Sequence, residues 1–140
     1  MAKQKILEKE IGSFDFQSGG EASSKLKNLL RKLGVDSDIV RQTAIVTYEL
    51  EMNVVIHSEG GRIKAAVSEN ELEIDVIDDG PGIADLDKAF TPGFSTASEE
   101  IREMGFGAGM GLVNAKRYAD KINVESSKKG THVNVIIKLG

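Results

Sequence analysis

Four glycines alternate through the segment GFGAGMGL, at Gly105, Gly107, Gly109 and Gly111. Because glycine lacks a Cβ and tolerates positive φ, such a loop can bring several backbone N–H groups close to one anion. An amphipathic helical pattern begins directly after the loop, and a helix N-terminus favours phosphate through its unpaired N–H groups and its dipole. The segment therefore suggests a phosphate-binding loop, although a plain turn can have the same composition.

Polar residues form a regular series further upstream, where Glu49, Asn53 and His57 are each four residues apart. In a helix this spacing places all three side chains along one side. The series borders a predicted apolar stripe made of Ile45, Tyr48, Met52 and Ile56. Polar residues beside a core stripe indicate either a functional surface or a partly solvated helix edge, with His57 in the second case a half-buried histidine.

A third segment, DDGPGI from Asp78 to Ile83, joins an acidic pair to two glycines at the end of a predicted strand. Its composition is first of all that of a tight turn. In the functional alternative, one carboxylate points into a ligand pocket, while Gly80 and Gly82 allow a base of the ligand to lie close to the backbone.

The bulk composition narrows the class of protein. A chain of 140 residues with 40% hydrophobic and 29% charged residues suits one soluble domain. The net charge of −4 argues against general binding to nucleic acid or to an anionic membrane. With no cysteine and two histidines, thiolate chemistry is excluded and a zinc cluster is disfavoured. No apolar run approaches the ~18 residues of a membrane span, and the N-terminus lacks the apolar core of a signal peptide, so we expect a cytoplasmic protein.

The elements that must position these segments follow from hydrophobic periodicity. Helices are predicted at about 21–33, 38–57 and 110–119, the first ended by Gly34 and the second begun by N-cap residues at 36–38. Residues 58–61 are predicted to form a turn. Strands are predicted around Phe14 and Phe16, at 62–68 and 72–76 as an antiparallel hairpin, and at 122–126 and 131–139. Residues 84–109 show little core pattern, and we expect them to form a mobile lid.

Taken in order, the motifs Glu49-x-x-x-Asn53, Asp78-x-Gly80-x-Gly82 and Gly107-x-Gly109-x-Gly111-Leu112 resemble those of the GHKL superfamily of ATP-binding domains. That superfamily includes gyrase, heat-shock chaperone, histidine kinase and MutL types, and the resemblance extends from about residue 36 to 139. It implies ATP and Mg²⁺ as cofactors. It also implies an α/β two-layer sandwich, with three main helices on one face of a mixed, mostly antiparallel sheet.

The resemblance assigns roles that the chemistry of the side chains supports. Glu49 corresponds to the general base, and Asn53 to the residue whose oxygen holds Mg²⁺. Asp78 corresponds to the carboxylate that accepts a hydrogen bond from the exocyclic amine of adenine. Guanine carries a carbonyl at that position, so an acceptor there distinguishes the two bases. Thr131 corresponds to a threonine near the adenine pocket, and Lys116 either reaches a phosphate or is a solvated helix lysine. The other positions assigned to nucleotide binding are His57, Gly80, Gly82, Ile83, Phe94, Ser95, Thr96, Gly105, Phe106, Gly107, Ala108, Gly109, Met110, Gly111 and Leu112.

Within the superfamily, the chain is most similar to the anti-sigma-factor serine/threonine kinases of bacterial partner switching. The segment before the glycine loop, Phe94-Ser95-Thr96, resembles that of the switch-type members. The resemblance implies transfer of the ATP γ-phosphoryl group to a small regulatory protein, with a sigma factor as a further partner and a homodimer left open. Two alternatives remain: a non-catalytic ATP-gated module that sequesters a partner, and a stand-alone histidine-kinase catalytic domain.

Overall fold

Five strands and three helices make up the part of the chain that the computed structural model describes, which is residues 3–12, 20–57, 60–78, 111–127 and 130–139. In chain order the elements are β1 (Gln4–Gly12), α1 (Glu21–Lys32), α2 (Ser37–His57), β2 (Gly60–Val67), β3 (Glu71–Asp78), α3 (Gly111–Tyr118), β4 (Lys121–Ser127) and β5 (Gly130–Lys138).

The strands form one sheet in the order β1-β2-β3-β5-β4. Alternate residues along β2, β3 and β5 are apolar, so one face of the sheet is a continuous buried surface. Its buried side chains include Ile63, Ala65, Leu72, Ile74, Val76, Val133, Val135 and Ile137. All four pairings among the described strands are antiparallel. The predicted hairpin is confirmed, and so is the two-layer architecture.

The helices cover the apolar face of the sheet, with α2 in the middle. This helix contacts α1 on one side and α3 on the other, and it packs on β1, β2 and β3. One buried cluster contains residues from all three helices and from β1, β2, β3 and β5. The central position of α2 therefore makes it the helix with the most neighbours, and it carries the predicted polar series.

The apolar stripe predicted for α2 is wrong. Tyr48 is 37% exposed and Ile45 is only half-buried, although Met52 is buried as expected. A helix that contacts a sheet and two other helices is apolar on several sides, so its periodicity does not single out one face. The buried residues of α2 are Val40, Thr43, Val46, Thr47, Leu50, Glu51, Met52, Val54 and Val55.

The predicted helix ends are confirmed by hydrogen bonds. Gly34 has a φ of 78°, and its N–H donates to the carbonyl of Arg31 while the N–H of Val35 donates to that of Leu30. This is the Schellman arrangement, which favours glycine at the left-handed position. Asp36 caps α2, since its Oδ1 accepts a hydrogen bond of 3.2 Å from the N–H of Asp38.

Other predicted boundaries differ from the structure. The N-terminal strand lies at Gln4–Gly12, whereas Phe14 and Phe16 lie outside the described residues. Gly60 and Gly61 belong to β2 and not to a turn, because they continue the ladder opposite Gly12 and Ile11. The predicted lid also falls outside the described residues. None of the helices in the described ranges is long and apolar enough to cross a membrane.

Candidate functional site

Two members of the predicted polar series have described side chains on α2. Glu49 and Asn53 are both half-buried and stand one helical turn apart. His57 is the last residue of the helix, and its side chain lies outside the described part of the structure. A half-buried carboxylate and a half-buried amide are therefore held on one rigid helix.

Asp78 ends β3 on the face of the sheet that the helices cover, in line with Leu72, Ile74 and Val76. Its partner across the ladder is Thr131, which is buried near the start of β5. The backbone N–H of Thr131 donates a hydrogen bond of 3.2 Å to Oδ1 of Asp78. The structure thus brings together two of the predicted site residues and holds the carboxylate in one orientation.

The same end of the sheet receives the C-terminal end of α2. Only residues 58–59 separate His57 from the first residue of β2, and the second residue of β2, Gly61, lies opposite Asp78. The short connection therefore directs the helix that carries Glu49 and Asn53 towards the carboxylate at the end of β3.

Helix α3 begins at Gly111, the last glycine of the predicted phosphate loop, and packs against α2. The loop is therefore followed by a helix N-terminus, as expected for a phosphate site. Lys116 is exposed near the C-terminal end of α3 together with Arg117, where positive charge complements the helix dipole. The side chain of Leu112 lies outside the described residues, as do Gly80, Gly82, Ile83, Phe94, Ser95, Thr96, Gly105, Phe106, Gly107, Ala108, Gly109 and Met110.

A buried ion pair that joins α2 to β1 was not predicted. Glu51 has no exposed surface, and its Oε2 is 2.7 Å from Nζ of Lys9 on β1. The N–H of Ala22, in the first turn of α1, approaches the same oxygen at 3.5 Å. The pair ties α2 to β1 and to the start of α1. No sequence signal could have revealed it, since the two residues are 42 positions apart and neither belongs to a motif.

An open groove of about 630 Å³ runs between the first turns of α1 and the middle of α2. Glu49 and Tyr48 line it from α2, while Ser24 and Lys25 line it from α1. Ser23 holds the two helices together at this point, because its hydroxyl donates to the carbonyl of Ala44 at 2.7 Å. One member of the polar series is therefore accessible from outside the molecule.

The described residues fit a magnesium ion that is bound together with a nucleotide. Mg²⁺ takes oxygen ligands and keeps several of its waters, so one or two protein groups plus phosphates suffice. Asn53 offers such an oxygen in its side-chain amide. Within the described ranges no three histidine or acidic residues come together as a cation cage. An ion at Asn53 would thus depend on the phosphates and on its own waters for the remaining ligands.

Comparison with known proteins identifies the family and several relatives. Residues 39–140 match the family of histidine kinase-, DNA gyrase B- and HSP90-like ATPases. The anti-sigma F factor of Thermoanaerobacter pseudethanolicus is 37% identical over 105 residues, which are 74% of this chain, and the chain spans 66% of that relative's length. The serine/threonine-protein kinase RsbT of Bacillus subtilis is 31% identical over 116 residues, or 79% of this chain and 80% of the kinase.

Solved structures share the fold at low sequence identity. The RsbU and RsbW domains of a Mycobacterium tuberculosis protein match 96% of this chain and 33% of theirs, with a TM-score of 0.64 and 16% identity. The catalytic domain of the histidine kinase ThkA matches 96% of this chain and 99% of its own, with a TM-score of 0.54 and 18% identity. The chain therefore belongs to the family of histidine kinase-, DNA gyrase B- and HSP90-like ATPases.

Proposed function

We propose that this protein is a Mg-ATP-dependent serine/threonine kinase that phosphorylates a small regulatory protein. The observation that carries the proposal is the position of Glu49, which lies one helical turn before Asn53 and also lines the open groove between α1 and α2. A base in this position can meet a hydroxyl group that belongs to another molecule. The similarity to a serine/threonine-protein kinase over most of both chains supports the same activity.

In this proposal, some of the described residues bind Mg-ATP and another accepts a proton. Asp78, oriented by the N–H of Thr131, accepts a hydrogen bond from the exocyclic amine of adenine. Guanine carries a carbonyl at the same position and has no hydrogen to donate there. Asn53 would hold the metal through its amide oxygen. Glu49 accepts the proton of the attacking hydroxyl, a contribution that is typically worth about 10²–10⁴-fold in rate. When bound, Mg-ATP supplies the phosphoryl group and the compensating positive charge.

The groove is the reason to favour a protein substrate. It is open and lies beside Glu49, so a loop of a partner protein can enter it without rearrangement of α1 or α2. Its rim combines apolar surface from Ile45 and Tyr48 with charges from Glu21 and Lys25. Such a mixed surface suits a small folded partner better than it suits a lone metabolite.

The test combines binding and phosphotransfer. Titration calorimetry with ATP, with and without Mg²⁺, first establishes nucleotide binding. Radiolabelled ATP is then incubated with this protein and with candidate anti-sigma-factor antagonists of the same organism. We expect acid-stable phosphoserine or phosphothreonine on one of them. The Glu49→Gln variant should bind ATP normally and lose at least about 100-fold in transfer rate.

Each alternative has its own result in this test. Acid-labile phosphate on the acceptor would identify a histidine-kinase catalytic domain. Mg-dependent ATP binding without transfer to any candidate would identify an ATP-gated binding module. Full activity of Glu49→Gln would remove that residue from the role of base.

Sequestration of a sigma factor is a second candidate function. The observation that favours it is the 37% identity to proteins named anti-sigma F factor. We expect a complex with a sigma factor of the same organism that depends on which nucleotide is bound. Size-exclusion chromatography of the two proteins with ATP or with ADP would measure it, and separate elution in both nucleotides would contradict it.

A further inference from the structure

Strand β2 begins with two glycines, and the second lies unusually close to β3. A Cβ added to Gly61 would clash with the carbonyl oxygen of Ile77 and lie 2.9 Å from Cα of Asp78. It would also be 3.1 Å from Cβ of Asp78, whereas opposed Cβ atoms of antiparallel strands are normally about 4.5–5.5 Å apart. The first two contacts are with backbone atoms, so β3 itself would have to move.

The opposite side of Asp78 is occupied as well. Thr131 pairs with Asp78 across the ladder, and its N–H donates to Oδ1 of the carboxylate at 3.2 Å. Gly61 pairs with Asp78 from β2. The last residue of β3 is therefore held between a strand that fixes its carboxylate and a strand that fixes its backbone.

We propose that Gly61 is the positioning residue of Asp78. Because only glycine allows β2 to approach this closely, Gly61 sets where β3 ends and so where the Asp78 carboxylate stands relative to the adenine ring. The inference rests on the proposed function, in which Asp78 accepts the adenine amine. A hydrogen bond weakens steeply with distance and angle, so a shift of a few tenths of an ångström in β3 would reduce this contact selectively.

The experiment measures a ratio of two affinities. The dissociation constants of ATP and of purine riboside triphosphate, which lacks the exocyclic amine, are determined by calorimetry in Mg²⁺. In the unmodified protein we expect ATP to bind about tenfold more tightly or better. In Gly61→Ala the ratio should fall at least fivefold, towards equal binding. A partly unfolded population weakens both affinities by the same factor, so the ratio does not depend on stability.

Gly60→Ala is the matched control. It also strains the start of β2, since Gly60 has a φ of 125°, but its added Cβ would approach the carbonyl of Ile11 at 3.3 Å and not Asp78. We expect this variant to lose stability and keep the ratio. In an Asp78→Asn background, Gly61→Ala should change the ratio no further, because the contact through which it acts is already lost.

The outcomes separate this inference from the proposed function. An unmodified protein that does not bind ATP, or does not distinguish the two nucleotides, would overturn the assignment of Asp78 itself. A normal ratio in Gly61→Ala, or an equal fall in Gly60→Ala, would overturn the role of Gly61 and leave the ATP site intact. Failure of Gly61→Ala to fold even at saturating ATP would assign this glycine to the fold alone, which would also overturn the inference.

Discussion

Asn53 lies one helical turn after Glu49 on α2, and both side chains are half-buried. Replacement of Asn53 by alanine should weaken ATP binding about tenfold or more in Mg²⁺ but leave binding in EDTA unchanged, because it removes the amide that we propose as the metal ligand. Calorimetry under both conditions measures the effect. Asn28→Ala, at an exposed position of α1, is the control and should change neither value. Equal losses with and without metal would assign Asn53 to the nucleotide or to the fold.

The buried pair of Lys9 and Glu51 gives a prediction about stability. Lys9→Met leaves the carboxylate of Glu51 buried without its charged partner, which should lower the free energy of unfolding by about 3 kcal/mol. Lys5→Met is the matched control, since Lys5 is 60% exposed and its ion pair with Glu8 lies at the surface, where such pairs add little to stability.

Urea denaturation of the two lysine variants and of Lys9→Met/Glu51→Gln measures these differences. The double variant should recover part of the loss, because no charge is then buried alone. Similar free energies of unfolding for Lys9→Met and Lys5→Met would mean that the pair of Lys9 and Glu51 stabilises the fold no more than a surface ion pair does.

At the residue scale, the sequence identifies groups whose chemistry is tied to a motif. It singled out Glu49, Asn53 and Asp78, and the pairing of Asp78 with Thr131 follows once the strands are in register. It could not identify Lys9 and Glu51, whose contact depends on how α2 lies over β1. Nor could it assign a role to Gly61, because a glycine pair before a strand has the composition of a turn until the register is known.

At the level of elements, the buried faces of β2, β3 and β5 were easier to predict than the buried side of the central helix. One face of β2, β3 and β5 is buried and the other is more polar, so alternation gives both the strand and its inward face. Helix α2 has neighbours on several sides, and its apolar residues do not form one stripe. The sequence therefore located the helix to within one residue at its start and misjudged which side is buried.

A pair of truncations on α2 tests the corrected orientation of that helix. Leu50 is 1% exposed, so Leu50→Ala should lower the free energy of unfolding by about 2–5 kcal/mol. Tyr48→Ala removes a larger side chain from the predicted stripe, yet it should cost less than about 1.5 kcal/mol because Tyr48 keeps 37% of its surface exposed and lies outside the buried core. Leu33→Ala repeats the leucine change at a 59% exposed site, with an expected effect within about 0.5 kcal/mol.

Urea denaturation ranks these three variants. A larger loss for Tyr48→Ala than for Leu50→Ala would restore the stripe predicted from the sequence, with the opposite rotation of α2 about its axis.

At the scale of the whole molecule, the candidate site lies where strands of the sheet and helices of the covering layer begin or end. Residues Ile11, Gly61, Asp78, Thr131 and Ser126 lie in one row across the five strands. Two residues separate the end of α2 from the start of β2, and α3 packs against α2. A ligand in contact with Asn53, Asp78 and the N-terminus of α3 would therefore join both layers, and its binding should stabilise the molecule as a unit.

Thermal unfolding measures how much a bound nucleotide stabilises the molecule. ATP at about 100 times its dissociation constant adds about 2.7 kcal/mol to the folded state, if it does not bind the unfolded chain. For a domain of this size, that should raise Tm by about 8 °C in Mg²⁺. GTP at the same concentration should raise it by less than about 2 °C, because Asp78 would face a carbonyl where ATP offers an amine. Asp78→Asn should reduce the ATP shift, and Lys5→Met should keep it in full. Equal shifts with ATP and GTP would mean that the carboxylate at the end of β3 does not read the base, and that the phosphates alone couple the nucleotide to the fold.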